Sequence, residues 1–279
     1  MNPQSPRSPY IDRRRALALL TAGVGTAVIA ACSSDKGATS SSTTAGGTST
    51  GAPDTTANVI DTSAPTTSPA AVDCSPIPEE TAGPFPGDGT NGPDVLSIDG
   101  VERNDIRTSI GDASGTATGT QLTIELTVVD SATSCAPLAG AAVYLWHADS
   151  VGRYSMYSSG ADNENYLRGV QVADDRGQLT FVSVFPGCYD GRWPHIHFEV
   201  YASRADVGSG RPLVTSQLAF PKSTCEQAYA AASYEQSVGN LGRVSLESDM
   251  VFRDGVDHQL ATMSGDSVTG FTASLTIVV

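Results

Sequence analysis

Apolar and polar positions alternate in short runs from residue 122 onward. Leu122, Ile124, Leu126 and Val128 are separated by Thr and Glu, and Phe271, Ala273, Leu275, Ile277 and Val279 repeat the pattern. Period two turns one face of each segment to a core, which predicts half-buried strands. Residues 140–147, 178–185, 195–201 and 213–220 predict further strands, set between Gly, Pro, Asp and Ser clusters. The pattern predicts an all-β domain, an antiparallel β-sandwich, over residues 74–279. One short helix is expected: Ser223, Thr224, Cys225 and Glu226 have capping-box spacing and open an Ala-rich run over 227–237.

The first part of the chain follows different rules. Arg13, Arg14 and Arg15 precede an uncharged apolar run from Ala16 to Ala31 that ends Ile29-Ala30-Ala31-Cys32. That run is short for a membrane span and suits a signal-peptide core. The small residues before Cys32 are similar to a lipobox, and the consecutive arginines to a twin-arginine signal, with the Sec route left open. The expectation is a signal peptide over 1–31, cleavage before a lipidated Cys32, and an exported domain held at the cell membrane by lipid. Residues 33–70 hold 18 Ser or Thr among 38 and almost nothing large and apolar. Such a stretch cannot offset its chain entropy by burial, so 32–73 is expected to be a flexible tether, about 35 Å in root-mean-square span.

Charge narrows the partners. The chain has 16 Lys and Arg against 30 Asp and Glu, a formal −14. Without residues 1–31 the balance is 12 basic against 29 acidic residues, more acidic still. A polyanion repels phosphate backbones, so nucleic acid is excluded as a partner and the membrane is expected to be met only through the lipid. Beyond Cys32 there are four cysteines, Cys74, Cys135, Cys188 and Cys225. In an exported chain these predict two disulfides, with three pairings open. No dinucleotide-binding or phosphate-binding glycine loop and no nucleophile elbow is found in the strand-to-helix setting that those motifs require.

Chemistry concentrates in the segment His195-Ile196-His197-Phe198-Glu199-Val200-Tyr201. On a strand, His195 and His197 share one face while Ile196, Phe198 and Val200 face the core. Two imidazoles so placed can chelate a metal, and imidazole suits zinc, copper, iron and nickel; two histidines on a solvated face are the plainer alternative. The context is Phe185-Pro186-Gly187-Cys188-Tyr189-Asp190-Gly191-Arg192-Trp193-Pro194, with Gly152-Arg153-Tyr154-Ser155 upstream. Here the sequence resembles the intradiol ring-cleavage dioxygenases, non-haem ferric enzymes of the catechol and protocatechuate type. The resemblance spans most of residues 75–260, from Glu80-Thr81-Ala82-Gly83-Pro84-Phe85 through Leu167-Arg168-Gly169-Val170-Gln171 to Thr215-Ser216-Gln217-Leu218.

The resemblance implies a β-sandwich of the intradiol type with long active-site loops, and one Fe(III) per chain held by Tyr154, Tyr189, His195 and His197. It implies that an ortho-dihydroxy aromatic and O2 react to give a muconate-type diacid, with Tyr189 leaving the metal and taking a proton. Arg192 and Gln217 would stabilise charge on the ring. Beside that stand zinc or copper at the same residues, for which two tyrosine ligands are unusual, and a binding module on this scaffold without turnover. The Ser/Thr tether stands where relatives acting on catechol carry a helical dimerisation segment, so dimerisation of that kind is not expected; the oligomeric state beyond that and the ring substituents stay open. His147 is read as structural, His258 as solvated, and Tyr157 and Tyr166 as wall or core. If 195–201 runs away from the metal and 213–220 returns, Cys225 comes back near Cys188, which favours the pairings Cys188–Cys225 and Cys74–Cys135.

Cys32→Ala is expected to abolish incorporation of labelled fatty acid and to release the protein into the medium; retained label would remove the lipid anchor from this reading.

Overall fold

Among the described residues nine strands form two sheets: β1 (Gln121–Asp130), β2 (Ala136–Pro137), β3 (Ala142–Trp146), β4 (Arg168–Val172), β5 (Gln178–Val184), β6 (His195–Tyr201), β7 (Val214–Ala219), β8 (Thr262–Asp266) and β9 (Gly270–Val278). This computed structural model describes residues 73–279. The expected signal peptide, the lipidation site Cys32 and the tether up to residue 72 lie outside the described residues. All described residues belong to the unit Thr67–Val279.

One sheet runs β2-β1-β9-β8, with β5 paired to β1; the other runs β4-β3-β6-β7. All strand pairs are antiparallel except β1 with β9, which is parallel. The alternation that marks β1 is realised: Leu122, Ile124, Leu126 and Val128 are buried while Gln121 and Glu125 are exposed. They pack with Phe181, Phe271, Ala273 and Ile277 against Val143, Leu145, Ile196, Phe198, Val200 and Leu218 of the facing sheet. This two-layer core is what an amphipathic sheet requires.

The second sheet is buried on both sides. Every residue of β6 is buried, because loops cover the face that carries His195 and His197. A second apolar cluster on that outer face joins Tyr144, Trp146, Tyr154, Val170 and Tyr201 to Val95 and Val101, with Ala82 and Phe85 packed against it. The site therefore lies between a sheet and a layer of loops.

The helix prediction needs correction. In place of one capped helix the described residues hold two, α1 (Lys222–Ala228) and α2 (Glu235–Leu241), and no side chain caps α1. The break lets Tyr229 and Tyr234 stack with ring centroids 5.1 Å apart. Their hydroxyls donate to the carbonyls of Pro186 and Phe185, each at 2.8 Å. These tertiary bonds outweigh local helix preference and fasten the helices beneath the loop that carries Tyr189.

Cys74 and Cys135 are joined by a disulfide, with Cα atoms 5.7 Å apart. The second expected bridge is absent: Cys188 and Cys225 are separate buried thiols. The Cys188 thiol points to the carbonyl oxygen of Arg192 at 3.4 Å, which turns it into the loop. Burial pushes Cys188 up to about 12 and Cys225 well above the ordinary thiol range.

Phe198 is fully buried in the main core, directly behind the histidine face. Phe198→Ala is expected to cost about 3–5 kcal/mol, read as a lower denaturation midpoint.

Candidate metal centre

Register brings the site together. Arg168 on β4 pairs with Trp146 on β3, Trp146 with His197 on β6, and His197 with Gln217 on β7. Residues directly opposite share a face, so these four fully buried side chains form one row across the outer side of the sheet. The Trp146 ring stacks on His197, with centroids 5.1 Å apart and planes 4° from parallel. His195 lies one step further along the same face.

The two tyrosines come from loops. Tyr154 lies between β3 and β4, where Asp149 shapes the backbone by accepting from the N–H groups of Val151 (3.1 Å) and Arg153 (2.9 Å) and from Arg153 Nε (3.0 Å). Tyr189 lies between β5 and β6. Gly152 (φ +86°) lets these loops meet, since a Cβ there would come within 2.9 Å of the Tyr189 Cβ. On the cover, Gly83 (φ +71°) approaches His197 so closely that a Cβ would lie 3.1 Å from its Cε1.

Four donor atoms converge. Tyr154 Oη lies 3.3 Å from Tyr189 Oη and 3.3 Å from His195 Nε2. Tyr189 Oη is 3.2 Å from His195 Nε2, which is 3.1 Å from His197 Nε2. Donors about 2.0–2.2 Å from a shared ion, at angles between 90° and tetrahedral, lie about 3–3.5 Å apart. The spacing therefore fits a first-row metal ion held by two phenol oxygens and two imidazole nitrogens. Among the described residues no group of three or more His, Cys, Asp or Glu could hold a metal; half of this set is tyrosine.

Hydrogen bonding orients one imidazole and packing the other. His195 Nδ1–H donates to the Trp193 carbonyl, which leaves Nε2 as the lone-pair nitrogen. His197 Nδ1 has no partner among the described residues, and its ring is held between Trp146 and the Gly83 segment. Burial, followed for His195 by the Arg192 charge and for His197 by His195, holds both imidazoles well below their ordinary range. Burial raises Tyr154 well above its ordinary value and raises Tyr189 as well, the latter countered by Arg192. The metal-free protein thus holds neutral imidazoles and protonated phenols, and a cation must displace the phenolic protons.

Arg192 and Gln217 are in contact, with Nη2 donating to Oε1 at 2.6 Å. Gln217 Nε2 donates to the Thr81 carbonyl at 2.9 Å, and Arg192 Nε to Asp249 Oδ2 at 2.9 Å. His147 stays out of the donor set: its two ring nitrogens meet the Ala148 carbonyl (2.8 Å) and Ser183 Oγ (2.7 Å). His258 lies 3.9 Å from Asp73 Oδ2 at the surface.

A family model described as Dioxygenase matches residues 91–245, more than half of the chain. Among solved structures, an intradiol ring-cleavage dioxygenase from Tetranychus urticae is 28% identical, with a TM-score of 0.57, covering 73% of this chain and 94% of its own. The chain belongs to the intradiol ring-cleavage dioxygenases. The dioxygenase domain of a carbohydrate-binding fusion protein from Streptomyces sp. SirexAA-E is 22% identical, with a TM-score of 0.48, covering 74% of this chain and 98% of its own. A search of curated proteins matched none.

In this intradiol dioxygenase two further residues shape the site. Arg168 has no exposed surface and makes no ion pair among the described residues. Its guanidinium donates to Pro86 O (2.7 Å), Phe85 O (2.9 Å), Ser155 O (3.0 Å) and Ser155 Oγ (3.0 Å). It thereby ties the cover to the residue after Tyr154. Phe85 packs between Tyr154 and Tyr157, with centroids 5.1 Å from each, and Tyr157 Oη donates to Asn91 Oδ1 at 2.6 Å. Tyr157 is thus part of the cover, and Tyr166 meets Asp149 at 3.2 Å. The Asx-turn composition after Asp149 was a legible signal for its role; nothing local distinguishes Arg168.

Burial pushes His147 down to about 4. The unfolded chain, with imidazoles near about 6.5, binds more protons than the folded one between those values, so stability falls as pH drops through that window. The urea midpoint of the metal-free protein is expected to fall from pH 6.5 toward pH 4, and the slope to be shallower in His147→Asn; an unchanged slope would count against buried neutral His147.

Proposed function

We propose that this intradiol dioxygenase holds one Fe(III) on Tyr154, Tyr189, His195 and His197 and cleaves an ortho-dihydroxy aromatic between its two hydroxylated carbons. Both atoms of O2 end in a muconate-type diacid. The observation that carries the reading is the convergence of two phenol oxygens and two imidazole nitrogens at 3.1–3.3 Å.

Two phenolates offset two of the three ferric charges, which favours Fe(III) over Fe(II). Ferric iron, when bound, would supply the Lewis acidity that draws electron density from the diol ring. Tyr189 is the ligand suited to leave: it is half-buried on a loop, whereas Tyr154 is buried under Phe85. Its Oη would take a proton from one substrate hydroxyl. Arg192 supplies positive charge where the ring becomes anionic, and Gln217 holds that guanidinium in reach. Phe85, Tyr157 and the Gly83 segment exclude water. The export signal and lipobox read over residues 1–32 support an enzyme tethered by lipid outside the cytoplasm, meeting small aromatic diols there.

The test is colour, iron content and oxygen uptake on catechol, protocatechuate, hydroxyquinol and substituted catechols. The native protein is expected to show a broad visible ferric–phenolate band. Tyr154→Phe and His197→Ala lose band and uptake together; Arg192→Ala keeps iron but slows turnover about 10²–10³-fold. Full activity in either ligand variant refutes the ligand set, and a folded, colourless, iron-free native protein favours the binding-module alternative.

A further inference from the structure

Asp249 follows α2 and precedes the short turn Phe252–Asp254. Its carboxylate is fully buried and pairs with an Arg192 side chain that is only 12% exposed. Oδ2 accepts from Arg192 Nε at 2.9 Å and from the Trp193 N–H at 2.6 Å. Oδ1 accepts from the N–H groups of Val251 at 2.8 Å and Phe252 at 3.3 Å. One oxygen therefore serves the loop leading into β6, and the other serves its own turn.

A guanidinium is a rigid planar fork on a flexible stem, and two anchored donors fix its plane. Arg192 has two such anchors, Nε on Asp249 and Nη2 on Gln217, and its guanidinium carbon sits 6.0 Å over the Phe252 ring. With one anchor the plane rotates about the other. In a desolvated setting, loss of the partner charge also drives the side chain toward water.

We propose that Asp249 is a positioning residue that holds the Arg192 guanidinium against Gln217 at the edge of the ligand set. It acts through Arg192, so the inference rests on the assignment of Arg192 to charge on the substrate ring. A rival role is visible in the same contacts. Asp249 also holds the Trp193 N–H, and the Trp193 carbonyl accepts from His195, so a purely structural effect would pass to the ligand set.

The experiment makes Asp249→Asn, which keeps one oxygen acceptor while removing the charge and the second acceptor, in the native and the Arg192→Met full-length, iron-loaded proteins, with catechol as substrate. In the native background kcat and kcat/KM are expected to fall together by about 10²-fold, with the ferric–phenolate band unmoved. In the Arg192→Met background no further fall is expected. An equal fall in both backgrounds, or loss of the band, makes Asp249 a scaffold for the His195 segment and overturns the proposal.

A second readout needs neither iron nor turnover. In the metal-free protein the Arg192 Nε–H resonance is expected to exchange slowly with water and to become fast in Asp249→Asn; an unchanged rate overturns the proposal. Asp249→Glu, which keeps the charge, is the control against misfolding: its Nε–H protection and kcat are expected to move together, and kcat lost at full protection overturns it. If the native protein turns over no diol while the resonance behaves as expected, the proposed reaction fails and the positioning of Arg192 by Asp249 stands.

Discussion

Period-two registration of β6 between β3 and β7 is the constraint on which the rest of the structure depends. A slip of one residue would turn His195 and His197 into the core and bring Ile196, Phe198 and Val200 out onto the face where the tyrosines converge. Three buried apolar side chains on one face hold the imidazoles on the other. The same register carries Trp146 and Gln217 to either side of His197, so the ring that must point at a metal is wedged by an indole on one flank and meets a polar amide on the other. Packing and chemistry share one alignment.

Above that face lies a layer with little regular structure, whose order comes from buried polar side chains that terminate backbone groups. Asp149 shapes the Tyr154 loop, Arg168 collects carbonyl oxygens from the cover and from Ser155, and Asp249 joins the approach to β6 with the turn after α2. Each replaces strand or helix hydrogen bonds that the loops do not make, which a buried backbone requires. Arg168 is the unusual member, since its charge is balanced by carbonyl and hydroxyl dipoles instead of a carboxylate.

Legibility in the sequence followed the physics of each element. Strands with one apolar face, such as β1 and β9, announce themselves by alternation, and β6 does so through Ile196, Phe198 and Val200. The two-residue β2, β4 with its Arg168-Gly169 start, and the exposed β8 carry no such periodicity; their pairing partners define them. The helical region was visible, but its division was not, because it depends on Tyr229 and Tyr234 reaching carbonyls distant in sequence. The donor set came from a matched motif; the spacing of His195 and His197 alone left the metal open. Asp249 escaped notice because its meaning lies in a contact with Arg192 across 57 residues of chain.

The parallel pairing of β1 with β9 places the last strand of the described chain in the middle of its sheet, between β1 and β8. Its neighbour β1 is the first strand, about 150 positions earlier in the order of synthesis, a separation that raises contact order and slows folding. Until β9 arrives, β1 lacks the neighbour that meets it along nearly its whole length, from Leu122 to Val129. A nascent chain of this topology therefore carries an unfinished, association-prone sheet through most of its elongation. Closing this sheet therefore requires the last strand of the described chain to find the first.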